Sequence, residues 1–157
     1  MRVLVAGIGN MFLSDDGFGP EAVRRLEREG GLPGEVRVAD YGIRGLHLAF
    51  DLLDPVDALI LLDTVPAGDR PGEITVLEVG PADLGEPESD AHGMNPAAML
   101  ASLGQMGGTL PPTYVVGCRP ATVDEGLGLS PDVEAAVPAA TAAVRALVAR
   151  LVPAGRR

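Results

Sequence analysis

The pattern of apolar and polar positions switches repeatedly between strand and helix. Residues 2–6, RVLVA, form a short apolar, β-branched run ending in glycine. FGPEAVRRLERE (18–29) follows as a helix, with Pro20 suited to its first turn. EVRVAD (35–40) then leads into the helix-like YGIRGLHLAFDLL. DALILLDTV (57–65) is apolar throughout, as a strand covered on both faces should be. Strand alternating with helix predicts an α/β fold with a parallel sheet. GEITVLEV (72–79), after the turn-rich PAGDRPG, and PTYVVGC (112–118) bring the strands to about five. In MNPAAMLASLGQM (94–106), Asn95 stands as N-cap and Pro96 as first helical residue, so a helix begins directly after His92 and Gly93. The C-terminal helix opens at LSPDVEAAVP. Val133, Val137, Ala140, Val144, Leu147 and Leu151 recur at helical spacing, and Pro138 is expected to kink or split it. Residues 80–92 and 119–130 read as irregular segments. No repeat or boundary interrupts residues 1–157, so a single domain is expected.

Length and charge narrow the function. A chain of 157 residues and 16.1 kDa buries roughly 70% of the surface its unfolded form exposes, enough to fold without staples. One cysteine, Cys118, excludes an internal disulfide, and MRVLVAGIGN lacks the apolar segment of a signal peptide; both point to the cytoplasm. No apolar run approaches the roughly 18 residues that cross a bilayer. The net charge of −10 and a pI near 4.5 work against nucleic acid, which needs clustered cations. All twelve basic residues are arginine, a skew that matches the abundance of Ala, Gly and Pro.

GIGNMFLSDDGFG (7–19) holds the first candidate chemistry. A dinucleotide fingerprint would place glycine at 7, 9 and 12, and position 12 is Phe12. Asp40 stands where a ribose-binding acid would, but Asp15 and Asp16 would face the pyrophosphate at a Coulomb cost of several kcal/mol. The structural alternative is a tight turn at Gly7 and Gly9, with Asp15 or Asp16 capping the next helix. Capping needs one acid, so Asp15 is assigned structural work and Asp16 the crevice above the strand ends. Asp63 ends the third strand, where ligands sit in open parallel sheets, although strand-end aspartates are commonly turn or cap residues. His92, after EPESDA, lies on a loop, whereas His47 falls in a helical pattern and reads as packing or surface. Asp16, Asp63 and His92 together make an O, O, N set suited to nickel, zinc or manganese, with positions left open for a partner's ligand or water. No Ser–His–Asp or Cys–His set assembles, and Cys118 reads as a small packed residue.

GIGNMFLSDDGFGPEAV, YGIRGLHL (41–48), LILLDTV (59–65), SDAHGMN (89–95) and VGCRPATVDEGLGLSPDVEAAVP (116–138) together resemble the hydrogenase maturation proteases, endopeptidases that trim the C-terminus of the nickel–iron hydrogenase large subunit. The resemblance spans nearly the whole chain and implies a three-layer α/β/α sandwich with a twisted, mostly parallel sheet. It implies that Asp16, Asp63 and His92 contact a metal, the nickel already inserted in the large-subunit precursor, with zinc or cadmium able to occupy the site in vitro. Position 16 is Glu or Asp in the family, so Asp16 keeps the pattern with a shorter arm. The expected chemistry is metal-assisted hydrolysis with Asp16 or Asp63 accepting a proton, or nickel serving as the mark of complete cofactor insertion. Gly42, Ile43 and Gly45 are expected beside the site, either admitting the substrate backbone or forming a tight strand-to-helix turn. The partner is the precursor, bound by a monomer; a nickel-dependent checkpoint that does not cut and a nucleotide-binding α/β protein are the rival readings.

Overall fold

The computed structural model describes residues 1–80 and 96–153. Five strands, β1 (Val3–Ile8), β2 (Val36–Gly42), β3 (Ala58–Thr64), β4 (Ile74–Val79) and β5 (Thr113–Cys118), form one sheet in the order β2-β1-β3-β5-β4. β1, β2, β3 and β5 are parallel, and β4 pairs antiparallel with β5 along one edge. Four helices complete the fold: α1 (Phe18–Glu29), α2 (Gly45–Asp51), α3 (Pro96–Gln105) and α4 (Pro131–Leu151). The α/β expectation holds, and every predicted strand is present.

Side chains of the central strands alternate between two cores. Val3 and Val5 of β1, with Ala58, Ile60 and Leu62 of β3, meet α1 and α4. Leu4, Ala6 and Ile8, with Leu59 and Leu61, meet Leu48 of α2 and Leu100 and Leu103 of α3. The result is the three-layer sandwich. Phe18, Val23 and Leu26 of α1 are all but inaccessible, and burying each contributes about 1.5–3 kcal/mol. The start of α1 sits directly on the sheet. A Cβ on Gly19 would lie 2.3 Å from the Ile8 carbonyl oxygen and 2.4 Å from that of Leu62. Glycine there brings the start of α1 onto β1 and β3, close to where both strands end.

Two local expectations are corrected. α4 is one helix through Pro138, not two. Pro138 and Glu134, whose carbonyl loses its helical donor, both lie on the exposed face, so water can take that carbonyl while Val137, Ala140 and Val144 stay buried. β2 runs to Gly42, and the register skips between Gly7 and Ile8, leaving Tyr41 as an extra residue. Among the described residues, no helix is long and apolar enough to cross a membrane.

Candidate functional site

The loop after β1 enters a 3-10 turn, Ser14–Gly17, that turns Asp15 and Asp16 in different directions. Neither caps a helix: α1 begins with no side-chain cap. Asp15 is fully buried and points to the segment between β5 and α4. Its Oδ2 accepts the Ala121 N–H at 2.8 Å, the Thr122 N–H at 3.1 Å and the Ser130 hydroxyl at 2.9 Å. Its Oδ1 accepts the Ser130 N–H at 2.7 Å. Ser130 is the residue that opens α4, so the carboxylate also meets the positive end of that helix. Burial alone would raise the Asp15 pKa, but the bonds from Ser130, Ala121 and Thr122 outweigh it and hold the group below its ordinary value. The structural role foreseen for Asp15 is present, as an anchor for another loop.

Asp16 turns toward the carboxyl ends of β1 and β3. Its Oδ2 accepts the Asn10 N–H at 2.9 Å and its Oδ1 the Thr64 hydroxyl at 3.1 Å. Thr64 also donates its N–H to Asp63 Oδ1 at 2.7 Å. One residue thus touches both carboxylates and brings Asp16 and Asp63 together. Asp63 is 3% exposed. Burial, with repulsion from Asp16 added, drives its pKa well above the ordinary carboxylate value, against the single opposing bond from Thr64. A buried acid beside a second acid is a place for a proton or a cation. The loop's amides leave little for a phosphate, since Asp16 takes the Asn10 N–H and the Asn10 side chain takes that of Phe12. His92 lies outside the described residues, and among those described no three His, Cys, Asp or Glu side chains form a metal-holding group.

The β2–α2 connection touches this loop. The Gly42 carbonyl accepts the Gly9 N–H at 2.9 Å, and Gly42 is itself a turn residue, with φ of 55° and its N–H on Asp40 Oδ1. Ile43 is exposed, and Gly45 is buried at the start of α2. Cys118 is buried, its thiol pushed up to about 11 by burial and the nearby Asp15 charge, which leaves it protonated and unfit as a nucleophile. A groove of about 820 Å³ at the other end of the sheet, lined by Arg2, Glu35, Arg37 and Asp54, is remote from these groups.

A family model for hydrogenase maturation protease matches residues 20–146. The chain belongs to the hydrogenase maturation protease family. The hydrogenase expression/formation protein HupD of Rhodobacter capsulatus is 35% identical over 150 residues, which is 93% of this chain and 71% of that protein. The hydrogenase 2 maturation protease of Escherichia coli is 33% identical over 140 residues, covering 87% and 84%. Among solved structures, the hydrogenase maturating endopeptidase HybD from E. coli superposes with a TM-score of 0.82 at 31% identity, over 97% of this chain and 94% of that one. The protein is therefore a peptidase.

In this maturation protease, the sequence reading missed Thr64, whose only signal was its place next to Asp63, and Ser130, which opens α4 but whose N–H and hydroxyl both donate to Asp15. The glycine at position 9 also has a defined task. At φ of 152°, a Cβ there would stand 1.9 Å from the Asp16 carbonyl oxygen. Gly9→Ala is expected to destabilise the fold by at least ~2 kcal/mol and to displace Asp16. Urea unfolding checks this; an unchanged midpoint would show that the loop yields freely.

Proposed function

We propose that this peptidase removes the C-terminal extension of a nickel–iron hydrogenase large-subunit precursor in the cytoplasm, after nickel insertion, and that Asp16, Asp63 and His92 contact the precursor's nickel. The observation that carries this reading is the Asp16–Asp63 pair held by Thr64 at the strand ends. The donor set fits a cation: a nearly inaccessible carboxylate repelled by its neighbour gains when a positive charge arrives. The substrate's nickel would supply that charge and polarise a nearby carbonyl.

This chain's own residues then have separate tasks. Thr64 keeps both carboxylates in fixed orientation. Asp63, with its raised proton affinity, is suited to take a proton from the attacking water and to return it to the departing amine. Gly42 bonds the loop that carries Asp16, and Ile43 and Gly45 follow it into α2, where an extended precursor segment would pass. The names of the relatives, HupD and the hydrogenase 2 maturation protease, support the substrate class.

His92→Ala tests the ligand set. With nickel-loaded precursor, it should slow truncation by about 100-fold, the scale on which removing a metal-site group acts, with the melting temperature unchanged. Truncation at the wild-type rate, read by intact mass, would remove His92 from the site.

A further inference from the structure

α2 is apolar on two faces. Its inner face, with Gly45, Leu48 and Ala49 buried and Leu52 just beyond, packs into the core on the α3 side of the sheet. Its outer face carries Leu46 and Phe50, 67% and 63% exposed, with Ile43 just before the helix and Leu53 just after it, 60% and 39% exposed. Leu46 and Phe50, four residues apart, share one face of the helix. Large exposed apolar patches mark interaction sites.

The patch continues onto the candidate site. Ile43 follows Gly42, whose carbonyl accepts the Gly9 N–H, and the same loop presents Met11 and Phe12, 41% and 62% exposed. Two of the three phenylalanines in the chain, Phe12 beside the site and Phe50 farther along α2, therefore stand in solvent. Ile43, Arg44, Leu46, His47 and Phe50 line a shallow groove of about 460 Å³. In a chain of net charge −10, this groove has Arg44 and His47 on its walls and no acid. The acid beside it, Asp51, accepts the Tyr41 hydroxyl at 2.8 Å and lies 3.5 Å from His47, which leaves Arg44, among the described residues, as the groove's free cation.

The geometry points to the outer face of α2 as a docking surface for the folded body of the hydrogenase large-subunit precursor, at an apolar patch rimmed by acids, separate from the crevice that receives the segment to be cut. This rests on the reading given above for the crevice. Continuity with that crevice and the basic rim of the groove select this partner. A precursor held at α2 arrives with its C-terminal segment tethered beside Asp16, which raises the local concentration of the scissile bond.

The test compares wild type with Leu46→Asp, Phe50→Asp and Arg44→Glu. All three positions are exposed, so melting temperatures should stay unchanged. Val76→Asp, on the exposed edge strand β4, serves as the control. Truncation of nickel-loaded precursor is followed by mass over a range of precursor concentrations, and binding is read in parallel by sedimentation. Leu46→Asp and Phe50→Asp should raise KM at least tenfold, with kcat within about twofold, and should weaken binding alike; Arg44→Glu should raise KM several-fold, and Val76→Asp should change nothing. Unchanged KM and binding in the α2 variants would overturn the proposal. So would a wild-type dimer that Phe50→Asp converts to monomer, since the patch would then belong to a second copy. Binding lost in the α2 variants, with no truncation even by wild type, would support docking and count against the proposed processing alone.

Discussion

Asp63→Asn is expected to lower kcat/KM for precursor truncation by about 100-fold or more, the usual effect of removing a group that moves a proton, while making the isolated protein more stable at neutral pH. The two effects share one cause. Asp63 is nearly inaccessible and next to Asp16, so its proton affinity is raised well above the ordinary carboxylate value. A carboxyl raised in this way favours the folded state only while it is protonated. That advantage is complete below the unfolded value of about 3.9 and is lost as pH rises through the higher folded value. Above the ordinary carboxylate range the native protein thus carries the cost of holding this acid out of water, a cost that an amide of the same shape does not have. Urea unfolding at pH 4 and pH 7 checks the stability arm: the gain in the Asn variant should be larger at pH 7. Wild-type truncation by Asp63→Asn would contradict the assignment.

Asp15→Ala should act in the opposite sense. It removes the acceptor of four hydrogen bonds, from Ala121, Thr122 and twice from Ser130. With each stranded donor worth about 1 kcal/mol or more, the expected loss is about 4 kcal/mol, or about 10 °C in Tm for a chain of this size. The pH dependence reverses too. Burial raises the Asp15 pKa and the hydrogen bonds lower it further than that, so the folded value lies below the unfolded one. Its stabilisation is present above about pH 3.9 and lost as pH falls through the lower folded value. Wild-type protein should therefore lose stability in strong acid faster than Asp15→Ala, as thermal melts from pH 2 to pH 6 would reveal. Equal acid sensitivity would mean that Asp15 does not hold this loop. Asp15, anchored by donors, thus titrates in the opposite sense to the buried Asp63, while its neighbour Asp16 faces the crevice.

What the sequence disclosed and what it hid follow from the range of the interactions. Strands and helices were legible because Val3, Val5 and Ile60, or Val133 and Val144, repeat at the period of their element. The division of labour between Asp15 and Asp16 was legible from charge, since two acids in one short loop cannot both be caps. The partner of Asp15 was hidden, because Ser130 lies far along the chain at the end of residues 119–130, which have no period. Thr64 was hidden for a similar reason: that one hydroxyl and one amide would reach two carboxylates depends on β1 and β3 lying side by side. Pro138 misled because a proline's effect on a helix depends on which face it occupies, and the apolar spacing around it shows that face only once the core is known. The outer face of α2 could be read as apolar from the sequence, but not as uncovered.

The central claim is that the Asp16–Asp63 site acts on a precursor that already contains nickel. The most direct measurement mixes the purified protein with its cognate large-subunit precursor, prepared with and without nickel, and follows intact mass. A single C-terminal truncation is expected in the nickel-loaded sample and none in the other. Equal truncation of both, or an intact nickel-replete precursor, would contradict the claim.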